Sequence, residues 1–526
     1  MMKQIIKYSL LLTILGSLIW SSCFQDLDLA PPFGLNATKV YEDPENYINV
    51  LAKIYAGLSM TGNDGPAGAA DIVGIDEGFS SYLRVFWNLQ EVPTDEAVVG
   101  WNDPGLPELN TMGWVATNSW STAMYYRIFF QLTLINEFIR ESALDKLEER
   151  GFGQADIDKI TTYRNEVRFL RALSYYHAMD LYGGNVPFVT DEDKVGSFLP
   201  EQTTASALFD YIETELLDIE DDLMAPSVGF SNNYGRANQA AVWTLLAKLY
   251  LNGEAMAGKA HWNDCLTYCE KVIGAGYELD ADYQYLFLAD NHLSTEIIFP
   301  VTFDGVNSKT YGGTTFLTHA AVGGTMNADD FGINSGWGGY RTTKGLVNTF
   351  EDTLDNRYLF YTDGQNLEVE TIGSFTSGYA VAKWKNLDRD GNPGSDATGD
   401  FVDIDFPLFR LADVYLMYAE AAVRGGGDTG KGAGYINELR DRAGMPDIGN
   451  GYTAKDVLDE RARELYWEGY RRTDLIRFGL YTGSDYIWPW KGGVKEGASV
   501  SDHLKIYPIA ESDLSANPNL DQNQGY

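Results

Sequence analysis

The residues in this sequence best suited to contact another molecule are tryptophans set in turns. Segment 71–127, DIVGIDEGFSSYLRVFWNLQEVPTDEAVVGWNDPGLPELNTMGWVATNSWSTAMYYR, places Trp87, Trp101, Trp114 and Trp120 among Asn, Asp, Gly and Pro. Trp101 stands in Gly-Trp-Asn-Asp-Pro-Gly, a turn sequence that presents its side chain rather than burying it. A flat indole offered on a turn can stack on the C–H face of a sugar ring while nearby Asp, Asn or Arg satisfy its hydroxyls. That combination is what a neutral, hydroxyl-rich ligand requires. A second patch combines TYGG at 310–313 with NSGWGGYRTTKG at 334–345, where glycines beside Trp337 and Tyr340 allow a ligand close to the backbone. For most of the tryptophans core packing is the expected role. Trp101 and Trp337 are the two expected on display.

Patterns for catalysis and metal binding are sparse. The histidines, His177, His261, His292, His319 and His503, form neither an HExxH nor a close pair. Neither a Gly-x-Ser-x-Gly elbow nor a phosphate-cradling glycine loop occurs. Asp388, Asp390 and Asn392 in NLDRDGNPGSD look like the start of a calcium loop. Pro393 holds the sixth position, where glycine is needed, and Gly399 stands where the closing Glu belongs. An Asx-rich surface turn is therefore expected, with neither metal nor cofactor. Glycoside hydrolysis needs only two carboxylates about 5–10 Å apart, and among 75 acidic residues the sequence singles out no such pair. Cys265 and Cys269 lie four apart on an expected helix, a spacing that rarely gives disulfide geometry, and read as small core residues.

The elements that must position these side chains are mostly helical. Helical periodicity covers 44–60, 119–146, 157–181, 205–223, 239–251, 262–273, 407–423, 432–442 and 454–477. Within these stretches small and aromatic residues recur: Ala172, Tyr175 and Tyr176; Ala241, Leu245, Ala247 and Tyr250; Ala412, Tyr415, Tyr418 and Ala421. Alanine against tyrosine at helical spacing lets paired helices approach closely, as in tetratricopeptide-type (TPR) solenoids. The expected fold is mostly α, a TPR-like helical-repeat scaffold with an irregular, loop-rich region and short β-strands carrying the ligand site. Residues 41–274 form its N-terminal helical part, with ligand loops at 71–120. Residues 275–405 form a region of Gly, Thr, Asn and Asp, and 406–526 complete the same fold. With Lys+Arg 39 against Asp+Glu 75, the net charge of −36 excludes nucleic acid, because phosphate binding needs clustered cations.

The N-terminus, MMKQIIKYSLLLTILGSLIWSSC, has Lys3 and Lys7 ahead of a short apolar run and then small residues before Cys23. It reads as a secretory signal over 1–22 rather than a membrane span. A cysteine at that point resembles a bacterial lipoprotein signal, which implies lipidation of Cys23 and anchoring of the chain. Residues 23–40, beginning CFQDLDLAPP, read as a tether.

Several segments together resemble the SusD/RagB family of outer-membrane nutrient-binding lipoproteins. They are EVRFLRALSYYHAMDLYGGNVPFV at 166–189, NYGRANQAAVWTLLAKLYL at 233–251, FPLFRLADVYLMYAEA at 406–421 and INELRDRAGMP at 436–446. ERARELYWEGYRRTDLIRFG at 460–479 and the closing YPIAESDLSANPNLDQNQGY complete the set. The resemblance implies a SusD-like fold and a non-enzymatic role. It implies capture of glycan at the cell surface and delivery to a TonB-dependent (SusC-like) outer-membrane transporter. Segment 71–105 is similar to the family's starch-binding founding member, which implies starch or malto-oligosaccharide as ligand, the alternative being the same family role with a different glycan or a peptide. It also implies a site built from Asp76, Arg84 and Trp101, with Asn102 nearby and Tyr311, Trp337 and Tyr340 extending an aromatic arc. The charged residues of the C-terminal motifs, Arg410, Glu420, Arg461, Glu464, Glu468, Arg471 and Asp474, are expected to tie helices together rather than to act as acid and base.

Overall fold

The computed structural model describes residues 37–526 apart from 63, 64, 67–69, 194, 195 and 197. The signal segment, Cys23 and most of the tether lie outside the described residues. The helical frame begins with α1 (Tyr47–Ala56), α2 (Tyr82–Glu91), α3 (Ser119–Glu141) and α4 (Gln154–Tyr182). It continues through α5 (Ala205–Ile219), α6 (Gln239–Ala257) and α7 (Trp262–Ile273). After a long excursion that includes α8 (Gly313–Ala320), it resumes with α9 (Leu411–Gly425), α10 (Thr429–Arg442), α11 (Ala454–Leu465) and α12 (Arg471–Arg477).

Successive helices pack on one another from α3 to α7, and α7 then packs on α9 as though no residues intervened. The result is a mostly α, TPR-like stack. Its seams are the predicted ones: Ala172, Tyr175, Ala241, Ala247, Ala412 and Tyr418 are all buried. Each helix has a local reason for its limits. The Asn238 side chain accepts from Ala241 N to open α6, and Thr453 with Asp456 forms a capping box on α11. Helix α4 stops at Gly183, whose φ of 77° most residues avoid, while its N–H reaches Met179 O. Cys265 and Cys269 are free thiols, both buried in α7.

Short strands pin the excursion. Strand β1 (Val98–Val99) pairs with β3 (Tyr340–Arg341), and β2 (Ile297–Val301) pairs with β4 (Phe406–Arg410), both antiparallel. Residues 406–410 are thus strand, not the start of the helix expected from 407; FPLFR is buried throughout and joins β2 at the base of the excursion. The single helix expected over 454–477 is two. The break falls at Trp467, whose φ is +63°, where Gly469 N and Tyr470 N donate to Glu91 Oε1 at 2.6 and 3.2 Å. Helix α2 was not among the expected helices; its polar residues Arg84, Asn88 and Glu91 fall on one face, yet nearly all of the helix is buried.

The charged C-terminal motifs do tie the frame together. Arg410 reaches Glu296, Glu464 and Glu468 at 2.7–2.8 Å, Arg461 joins Asp413 to Asp474, and Arg477 grips both oxygens of Glu420. All are buried. Such pairs add little net stability over apolar replacements, but removing one partner strands a charge in a low dielectric. One of them bears directly on the site. Arg471 holds Asp95 through both oxygens at 2.7 Å, and Asp95 O accepts from Thr343 Oγ1 at 2.6 Å. Helix α12 thereby fixes the chain just before β1 and just after β3.

Candidate functional site

Two loops far apart in sequence meet because β1 pairs with β3. Val99 faces Tyr340, and one residue further Gly100 N donates to Gly339 O at 2.9 Å. This register sets Trp101 beside the loop that carries Trp337. That loop is held from below by the C-terminal end of α8 and the turn that follows it. Trp337 N, Gly338 N and Gly339 N donate to His319 O, Val322 O and Ala320 O at 2.7–2.9 Å. Tyr311 lies just before α8, so one short helix positions an aromatic residue near each of its ends.

The three rings form a row of mutually tilted faces. Trp337 is central, its centroid 6.4 Å from both Trp101 and Tyr311, with interplanar angles of 41° and 56°. Trp101 and Trp337 are half-buried and Tyr311 is 36 % exposed, so each offers part of a face to solvent. Behind them the packing is close. Trp101 stands edge-on to Tyr340 at 5.2 Å and lies against Gly339, where an added Cβ would come within 2.3 Å of its ring. His319 stacks under Trp337 at 4.8 Å and 25°, sharing a 2.7 Å hydrogen bond with Ser335 O through Nδ1. Burial lowers the His319 pKa, so the ring is neutral near pH 7 and Nδ1 is the donor. Phe401 closes the outer end, 5.1 Å from Tyr311.

Arg84, on α2, supports the row from behind. Its Nη1 donates to Gly78 O at 2.7 Å and Tyr311 O at 3.3 Å, joining the two loops, while its guanidinium lies 4.5 Å over Phe316 and 5.9 Å from Trp101. Burial lowers its pKa, and Tyr340, Asp103 and Asp76 offset part of that shift. Its Nε is buried without a hydrogen-bond partner among the described residues. Asp76 is exposed and accepts from Gly78 N at 2.8 Å, and Asn102 is exposed beside Trp101.

Six of the seven predicted residues thus converge: Asp76, Arg84, Trp101, Asn102, Tyr311 and Trp337. Tyr340 is the correction. It is 0 % exposed, its hydroxyl is committed to Asn88 Oδ1 at 2.5 Å, and burial raises its pKa, so it props Trp101 rather than facing a ligand. Trp87, Trp114 and Trp120 are buried as core. His319, Phe401 and Gly339 were missed. Only the glycine pair beside Trp337 hinted at any of them, because close ring-on-backbone approach is a tertiary property. The Asp388 carboxylate accepts from Asp390 N, Asn392 N and Asn392 Nδ2, as an Asx turn requires. Among the described residues no group of three or more His, Cys, Asp or Glu is placed to hold a metal ion.

The SusD family model matches residues 332–526. Over its whole length the chain is 35 % identical to the starch-binding protein SusD of Bacteroides thetaiotaomicron, the match covering 100 % of this chain and 99 % of that protein. Among solved structures it resembles a SusD superfamily protein from Parabacteroides distasonis, with a TM-score of 0.70 and 21 % identity over 94 % of this chain and 100 % of that one. It also resembles surface glycan-binding protein A from Bacteroides thetaiotaomicron, solved in complex with laminarihexaose, with a TM-score of 0.69 and 20 % identity over 91 % and 99 % of the two chains. At those identities the structural likeness speaks to the fold alone.

Proposed function

This chain belongs to the SusD family, whose members are carbohydrate-binding proteins rather than enzymes, and from that premise we propose that it captures α-1,4-glucan on the Trp101–Trp337–Tyr311 row. The observation that carries the reading is the tilt between neighbouring rings. Successive tilts of 41° and 56° suit a helical starch or malto-oligosaccharide chain better than a flat one such as cellulose. Asp76, Asn102 and the part-buried Arg84 lie where they could serve hydroxyls at the edge of the row. The contacts are shallow, consistent with millimolar to micromolar affinity, about 4–8 kcal/mol.

Weak binding serves a protein that must release what it holds. In our reading, the chain is a lipoprotein anchored through Cys23 at the outer-membrane surface, passing glucan to a TonB-dependent, SusC-like transporter. Tethering beside that transporter raises the effective concentration of ligand without further contacts. Among the described residues no helix is long and apolar enough to cross a membrane. A different glycan, or a peptide, is the second reading, and laminarihexaose, the ligand in one solved relative, serves as a comparison ligand.

The test is retention in a starch affinity gel. The Trp101→Ala, Trp337→Ala double variant is expected to run as though no polysaccharide were present. Retention equal to the unsubstituted protein would overturn the site. A glycan array including laminari- and malto-oligosaccharides separates the two glucans.

A further inference from the structure

A second aromatic group, one exposed ring with two half-buried ones, lies near the Tyr311 end of the row. Phe230 is 66 % exposed, with its ring 5.9 Å from Tyr234 and 5.2 Å from His292. These rings line a cleft of about 400 Å³ that also holds Asp304, Ser395 and Asp403. Neither Lys nor Arg is among its lining residues. Asp304 Oδ1 accepts from Val306 N and Asn307 N at 2.7 Å, and Asp403 Oδ1 from Gly305 N at 2.8 Å and Ser395 Oγ at 2.7 Å. Their second oxygens accept from Asn307 Nδ2 at 3.0 Å and Ser395 N at 2.5 Å, so each carboxylate is held in place and keeps room for about one further donor.

The cleft adjoins the row by two routes. The turn 304–308 closes on itself, with Ser308 N on Asp304 O at 3.0 Å, and three residues then lead to Tyr311, at most about 11 Å of chain. On the other side Phe401 packs against Tyr311, and Asp403 follows two residues later. An apolar protein segment seated here would desolvate the carboxylates without satisfying them, whereas sugar hydroxyls would donate to them. A polyanion would meet the Asp304 and Asp403 carboxylates.

We propose that this cleft is a second subsite for the same neutral glycan, holding a stretch of chain that runs past Tyr311, with Phe230 as its stacking face. The inference rests on the reading of the aromatic row as a glucan site. Its consequence is an affinity that grows with chain length, because a chain held at Tyr311 meets the cleft as an intramolecular partner.

The test is calorimetric titration of the full protein with maltotriose and with a longer linear α-1,4-glucan of ten or more sugars. Phe230→Ala is expected to bind maltotriose unchanged and the long glucan roughly fivefold to twentyfold more weakly, the order expected from uncovering one aromatic face. Phe230→Trp should keep long-chain affinity. Since Phe230 is largely exposed, neither variant threatens the fold. Unsubstituted affinity of Phe230→Ala for the long glucan would overturn the subsite alone, as would an equal loss for both ligands. An unsubstituted protein that binds neither ligand would instead overturn the reading of the row, and the cleft with it.

Discussion

Gly339→Ala probes the site by changing its geometry without removing any group that touches ligand. The added methyl would sit 2.3 Å from Trp101 Cε2 and 2.5 Å from Cζ2, against about 3.4 Å for ordinary contact. The indole must therefore retreat by about 1.1 Å. Tyr340 at 5.2 Å and Phe316 at 6.4 Å block the inward direction, so it moves outward and disturbs the 6.4 Å step to Trp337. A half-buried indole keeps on the order of 60–80 Å² of ring open to water, and covering that area contributes about 1.5–2 kcal/mol. Losing the matched face should weaken maltoheptaose binding roughly tenfold to thirtyfold. Overpacking of this kind costs about 1–3 kcal/mol of stability, within the 5–15 kcal/mol typical of folded proteins, so the variant should fold. Titration calorimetry reads the affinity, and a urea midpoint with tryptophan fluorescence confirms a folded chain with a displaced ring. A folded variant with altered fluorescence and unchanged affinity would refute the argument that Trp101's placement matters.

Three further outcomes follow from other parts of the structure. His319→Ala removes the ring stacked beneath Trp337; such pairs contribute about 0.5–1.5 kcal/mol, so binding should fall roughly twofold to tenfold, with His319→Phe restoring it. Asp95→Asn leaves the Arg471 guanidinium buried without its anionic partner and should cost about 3–5 kcal/mol, read as a lowered urea midpoint. Burial pushes the Glu91 carboxyl up from 4.5 to about 7, so the folded state keeps a proton that the unfolded chain loses. Its neighbour Glu96 is raised by burial and by Glu91 in the same way, so stability should fall as pH rises from about 4.5 to about 7, and Glu91→Gln, which retains an acceptor for Gly469 N, should make that slope shallower; parallel profiles for the two proteins would count against it.

Much of the frame was legible because burying helices in a stack demands a periodic pattern. The Ala and Tyr stripes at 172–176, 241–250 and 412–421 lie in the seams where they were expected. Legibility failed where burial was complete or a contact was distant. Residues 82–91 carry their polar stripe, with Asn88 and Glu91 on it, into the interior rather than to solvent, and the break at 467–470 depends on Glu91, nearly four hundred residues away. Tyr340 misled for a related reason: glycines beside an aromatic residue suit both display and close packing.

By itself, the sequence determined the helical frame, the family and the two tryptophans set in glycine turns, since each depends on residues that are neighbours along the chain. Which aromatic faces remain open was decided only in three dimensions. A two-residue β pairing brings 98–101 to 337–341, the carbonyl end of α8 accepts the Trp337 loop, and the bare backbone of Gly339 admits the Trp101 ring. Exposure and ring tilt are relations between distant segments, so they exist only once the core has formed.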